Sequence, residues 1–136
     1  TTFHPFALTA NHARGDVLQV NIDSPTHDTA RYGEVDLADA VATRNPDTGE
    51  VEIFAVNRST EKGATVRVDL SALNLGTGRE LQLVGAQSFS HEDHTWQAGF
   101  DDDTTVVPTD NPSAAVTGAE LVIELPALSW NHIRLA

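Results

Sequence analysis

The sequence predicts an all-β domain, an antiparallel β-sandwich of jelly-roll type preceded by one short N-terminal helix. Three observations carry that expectation. The apolar period changes after Gly15 from about 3.6 residues to about 2, the step from helix to half-buried strand. Alternating segments then recur, with turn residues roughly every ten positions, as in sandwiches and jelly rolls. The chain also closes on two such segments, split by Pro126. A length of 136 residues suits one domain with a core that needs no disulfide staples.

Taken in order, residues 2–14 read as the helix. Phe3, Phe6, Ala7 and Ala10 fall on one helical stripe, Pro5 is tolerated in the first turn, and Gly15 follows Arg14 as a stop. A helix this short is marginal alone, so the stripe requires a partner surface. Leu18, Val20 and Ile22 then alternate as a strand that Asp23-Ser24-Pro25 ends. Val35, Leu37 and Val41 share one parity ahead of the turn Asn45-Pro46-Asp47-Thr48-Gly49, and Val51, Ile53 and Ala55 follow it, which predicts a hairpin. Ala64, Val66, Val68 and Leu70 form the cleanest alternation. Leu81, Leu83 and Val84 mark the next strand, Leu121, Ile123 and Leu125 another, and Trp130 to Leu135 the last. Six or seven strands result. The segment from Ser88 to Ala119 is different: polar, rich in Asp and Thr, broken by Pro108 and Pro112, with only Val106-Val107 as a strand candidate. A loop of that length in a compact domain is functional, ordered by a neighbour, or disordered.

Composition excludes several functions. Twenty Asp and Glu against eight Lys and Arg give a net charge of −12. Nucleic-acid binding relies on cationic side chains that neutralise phosphates, and an anionic membrane surface would repel the chain for the same reason. No apolar run approaches the roughly 20 residues of a membrane span. The absence of Cys removes disulfide, thiolate-metal and thiol-nucleophile chemistry. With no Met anywhere and Thr1-Thr2-Phe3 at the start, the chain reads as a processed or excised piece.

The sharpest local cluster is His91-Glu92-Asp93-His94, followed by Asp101-Asp102-Asp103. His91, His94, Asp101 and Asp103 are weak candidates for divalent-metal ligands. Their spacing matches neither the zinc-protease helix nor a calcium loop, and a solvated loop is the simpler reading. Trp96, in the same segment, is a candidate for stacking on a sugar face, as in an independent carbohydrate-binding module; the alternative is a loop anchor. Trp130, beside Ile133 and Leu135, reads as packing. Ser71, Ser88, Ser90 and Ser129 lack a nucleophile elbow, Gly76-Thr77-Gly78 lacks the rest of a phosphate loop, and Asn57-Arg58-Ser59 fits the common glycosylation tripeptide. No catalytic residue, cofactor or firm metal site is assigned.

Three stretches carry a family resemblance. Leu125-Pro126-Ala127-Leu128-Ser129-Trp130-Asn131-His132-Ile133-Arg134-Leu135 resembles the end of family 51 α-L-arabinofuranosidases, which typically finish Leu-Pro-x-x-Ser-Trp-Asn-Val-Ile-Arg-Leu. His132 departs from the usual Val, at a position of outward parity. The opening aromatic-x-Pro-Phe, Arg14-Gly15 and Ser24-Pro25-Thr26-His27-Asp28 are similar to the family's stretches, as is Ile53-Phe54-Ala55-Val56-Asn57-Arg58. The matches lie in family order and span nearly the whole chain. Ser88 to Pro112 keeps Val106-Val107-Pro108 but is richer in Asp than relatives.

The resemblance implies a parent with a (β/α)8 barrel that carries both catalytic glutamates, then a C-terminal β-sandwich. Residues 1–15 would be the last helix of that barrel and residues 16–136 the sandwich. It implies a retaining hydrolase of terminal α-L-arabinofuranosyl residues, cytoplasmic and homo-oligomeric, whose catalytic residues lie upstream. The chain's partner would be its own barrel, with no nucleic acid, membrane or cofactor. On this basis the chain alone is expected to be inactive.

Overall fold

A computed structural model describes residues 2–136, Thr77 by its backbone alone. Helix α1 spans Phe3–His12. The strands that follow are β1 (Asp16–Leu18), β2 (Thr26–Thr29), β3 (Gly33–Asp36), β4 (Ala38–Arg44), β5 (Val51–Asn57) and β6 (Ala64–Asp69). After a second helix, α2 (Ser71–Thr77), come β7 (Leu83–Phe89), β8 (Thr109–Asp110), β9 (Ala115–Thr117), β10 (Glu120–Leu125) and β11 (Ser129–Leu135). Six strands form one antiparallel sheet in the order β1-β4-β5-β11-β7-β8, three form a second in the order β6-β10-β9, and β2-β3 is a separate hairpin.

Period-2 alternation explains how the two larger sheets meet. Val51, Ile53 and Ala55 of β5 and Ile133 and Leu135 of β11 bury one face of the large sheet. Leu121, Ile123 and Leu125 of β10 bury one face of the small sheet, and Leu70, Leu81, Ala42 and Ala86 join them in a single core. Each such fully buried aliphatic side chain contributes about 1.5–3 kcal/mol of transfer free energy. The all-β sandwich expected from the sequence is therefore present, with the helix ahead of it.

The hairpin across residues 45–50 also forms as expected. β4 and β5 pair from Arg44↔Val51 to Ala38↔Asn57. The Gly49 amide donates to the Asn45 carbonyl at 2.8 Å, and the Asn45 amide to that of Glu50 at 2.9 Å.

Five details differ from the sequence expectation. Phe3 and Phe6 do not face the sheet but are 71% and 74% exposed. The half-buried side of α1 carries His4, Leu8 and His12 instead, spaced by four. The alternation of Leu18, Val20 and Ile22 yields only the edge strand Asp16–Leu18, and Val20 and Ile22 stay exposed. Val41 points to the outer face rather than the core, since Ala40 and Ala42 take the inward parity. The polar segment contains β8 and β9, and α2 forms where no helix is expected. α2 ends on Gly78, left-handed at φ 68°, whose amide donates to the Asn74 carbonyl.

Candidate functional site

β5 and β11 pair with Glu52 opposite Arg134, Phe54 opposite His132 and Val56 opposite Trp130. Because the inward parity is spent on the core, these six side chains share the outer face of the large sheet. α1 lies across that face. Its His12 ring sits 4.7 Å from the His132 ring and its His4 ring 5.8 Å from that of Phe89, centroid to centroid. Gly15, at φ 83°, lets the chain double back onto β1. A Cβ there would meet the Arg44 carbonyl oxygen at 2.1 Å, so only glycine fits.

Under the helix the polar groups converge on one carboxylate. Glu52 is 7% exposed and His132 only 1%. His132 Nε2 and Glu52 Oε2 share a hydrogen bond of 2.6 Å. His12 Nδ1 lies 3.8 Å from Glu52 Oε1, and Arg134 Nε 3.5 Å from the same oxygen. The His132 ring stacks on Phe54 at 4.9 Å with planes only 6° apart, and Trp130 packs beside both. A buried carboxylate costs several kcal/mol unless it is paired, and three basic groups pair this one. Burial lowers the pKa of His12. The charges of His132, Arg134 and Arg14 push the same way, and Glu52 alone opposes them.

Among the described residues, His12, Glu52 and His132 are the one group of three or more His, Cys, Asp or Glu whose donor atoms all lie within 4.8 Å of one another. Sequence reasoning singled out neither His12 nor Glu52. The available signals were the His4, Leu8, His12 spacing and the departure at His132.

The loop candidates do not converge in this way. Trp96 is half-buried, with its ring 5.9 Å from that of His91. His91 Nδ1 accepts the Asp93 amide at 3.1 Å, and Asp93 accepts the amide and hydroxyl of Thr95. Hydrogen bonds from Thr95 hold the Asp93 carboxyl below the usual carboxylate range, and those from Thr105 do the same for Asp102. His94, Asp101 and Asp103 are exposed and belong to no such donor group. A shallow cleft of about 560 Å³ beside hairpin β2-β3 is lined by His27, Tyr32, Asp39 and Arg58 among others. There Arg58 is committed to Asp39 at 2.9 Å and to the Asp36 carbonyl at 2.8 Å.

The stretches that carry the family resemblance are structural pegs. Asn57 is 2% exposed. Its Nδ2 donates to the carbonyls of Lys62 and Pro126, both at 2.9 Å, and its Oδ1 accepts the Ser59 amide. The nitrogen that a glycan would need is thus occupied. In the closing run Ser129 and Asn131 point inward. Asn131 Nδ2 donates to Ser129 Oγ at 2.9 Å, and its Oδ1 accepts from Ser88 Oγ at 2.6 Å, which ties β11 to β7.

Comparison with known proteins agrees with this architecture. The sequence model of the α-L-arabinofuranosidase C-terminal domain matches residues 1–129. An intracellular exo-α-(1→5)-L-arabinofuranosidase of Streptomyces lividans is 37% identical over 136 residues, covering 100% of this chain and 20% of the relative. An exo-α-(1→6)-L-arabinofuranosidase of Bifidobacterium longum is 36% identical over 139 residues, covering 99% of this chain and 25% of the relative. The solved family 51 α-L-arabinofuranosidase from Bifidobacterium longum superposes with a TM-score of 0.89 at 32% identity, over 99% of this chain and 25% of that one. The chain thus spans only about a fifth to a quarter of the length of the relatives it matches. They match it as a C-terminal domain and give no support to a free-standing carbohydrate-binding module. From its opening helix to its closing strand, this chain belongs to the C-terminal domain family of the family 51 α-L-arabinofuranosidases.

Proposed function

We propose that the chain serves as the non-catalytic C-terminal β-sandwich of an enzyme that releases terminal α-L-arabinofuranosyl residues with retention of configuration. In this reading residues 1–15 are the last helix of a (β/α)8 barrel, and residues 16–136 brace that barrel from outside. Thr1, which opens the first segment, lies outside the described residues. The two glutamates that retention requires would stand on barrel strands, about 5–5.5 Å apart.

The observation that supports this most is the whole-chain match to a domain that forms only a quarter or less of the hydrolases carrying it. The surface of α1 is consistent with it. Phe3 and Phe6 present two large apolar side chains to the outside, a pattern that marks a covered interface. A cytoplasmic setting is part of the proposal, supported by relatives named intracellular. No helix among the described residues is long and apolar enough to cross a membrane. A homo-oligomer of the complete enzyme belongs to the same proposal.

The test is association with a barrel. A family 51 barrel trimmed of its own sandwich and last helix is mixed with this chain and followed by sedimentation. One-to-one association is expected, weakened at least about tenfold in a Phe3→Ser/Phe6→Ser variant, a loss of roughly 1.4 kcal/mol or more. Failure of the unaltered chain to associate would overturn the docking role.

A further inference from the structure

We infer that His12, Glu52 and His132 form a site for a divalent transition metal of the zinc class, in which the ion clasps α1 to the sheet. Two imidazoles and one carboxylate are a donor set that zinc uses, with a further position left for water. The three donors come from three separate elements, α1, β5 and β11, so an ion there would join parts of the chain that sequence alone does not hold together. Their donor atoms already lie within 4.8 Å of one another.

The positions are set by the fold rather than by loose side chains. His132 is 1% exposed, and its ring is stacked on Phe54. Glu52 sits beside it on the neighbouring strand and is buried as well. His12 is the adjustable ligand, since its side chain is 31% exposed and the helix that carries it is only 10 residues long. Metal bonds of about 2.0–2.2 Å at tetrahedral angles separate donor atoms by about 3.3 Å. The observed 2.6 Å between His132 Nε2 and Glu52 Oε2 therefore opens by less than an ångström, while His12, whose Nδ1 is 3.8 Å from the other carboxylate oxygen and within 4.8 Å of the ligating donors, moves in by up to about 1.5 Å.

The proton balance is simple. The proton held between His132 Nε2 and Glu52 leaves for solvent or moves to Nδ1, and the metal takes its place. One group opposes the ion: Arg134, whose Nε lies 3.5 Å from Glu52 Oε1. The ion displaces this pairing: Nε makes no hydrogen bond there, and the side chain, 40% exposed, has solvent to turn into.

The experiment titrates the metal-free chain with Zn²⁺ alone and with Co²⁺ alone above pH 7. The expected result is one ion bound per chain, a raised unfolding temperature at about 100-fold excess over the dissociation constant, and visible Co²⁺ bands of a four-coordinate site. His12→Gln and His132→Val should each weaken binding at least about tenfold, while a His91→Gln/His94→Gln variant binds as before. His12 is half-exposed, and His132→Val places an apolar side chain on Phe54, so folding of both is checked by circular dichroism. The site is overturned if the unaltered chain shows no saturable binding, if both single variants still bind fully, or if the His91/His94 variant loses the ion.

Discussion

At Glu52 one buried carboxylate faces His132, His12 and Arg134, so removing its charge and removing a partner have different consequences. Glu52→Ala leaves the 1%-exposed His132 without its hydrogen bond, and a buried polar group in that state costs about 1–3 kcal/mol. His132→Val instead leaves Glu52 with His12 and Arg134. Urea unfolding of both singles and the double variant should show the double less destabilised than the sum, with a coupling of about 0.5–3 kcal/mol. Strict additivity would mean the pair does not interact.

His12 supplies a pH dependence at the same place. Its pKa is lowered from 6.5 in the folded state, by burial first, with His132, Arg134 and Arg14 adding and Glu52 opposing. Below pH 6.5 the unfolded chain takes up this proton before the folded one does. Its contribution is therefore complete above 6.5 and is lost as pH falls from there towards the lowered folded value. The difference in stability between the unaltered chain and His12→Gln should change in that window, with the variant less sensitive to acid. An unchanged difference from pH 7.5 to 5 would contradict the burial of His12.

Little of this cluster was legible in the sequence. Outward parity at His132 was readable, but its partner is 80 residues away, and only the β5-β11 register brings Glu52 beside it. Asn57 shows the converse: a tripeptide that looks like a modification signal is a buried peg whose bonds reach Lys62 and Pro126.

Among the elements, strand parity was readable wherever one face of a strand carries a run of aliphatic side chains. β5, β6, β10 and β11 stand where alternation puts them, because a one-residue slip would turn their aliphatic set outward. β1 is at the sheet edge, and there the rule weakens: Val17 is 78% exposed, and the alternation through Val20 and Ile22 continues without a ladder. α1 was readable as a helix but not in its orientation, since Phe3 and Phe6 outweigh His4 and His12 on any apolar scale yet lie outside. α2 was missed because seven residues with Leu75 85% exposed give no stripe.

Gly15 tests how α1 is joined to the sheet. Gly15→Ala puts a methyl group 2.1 Å from the Arg44 carbonyl oxygen on a left-handed backbone. The strain alone is about 1–3 kcal/mol, with the steric contact added to it. Unfolding should become easier by at least about that much, and hydrogen exchange should speed up at β1 and α1 first. Unaltered stability would show that the Gly15 turn is not formed as described.

For the whole molecule, the two-sheet sandwich follows from the alternation, whereas the small hairpin β2-β3 and the strands inside the polar segment do not. β8 and β9 are only two and three residues long. They are held by pairing with β7 and β10 rather than by their own apolar pattern. The charge of −12 is spread over a surface from which few carboxylates are buried, Glu52 being the exception. Acidity is therefore a property of the surface and not a sign of acid chemistry.

The central proposal, that this sandwich serves an arabinofuranosidase without performing its chemistry, is tested most directly by assaying the purified chain alone on an aryl α-L-arabinofuranoside. The account predicts no release of the aryl alcohol above the buffer rate. Turnover that follows the chain through successive purification steps, and is abolished by replacing one of its own carboxylates, would contradict it.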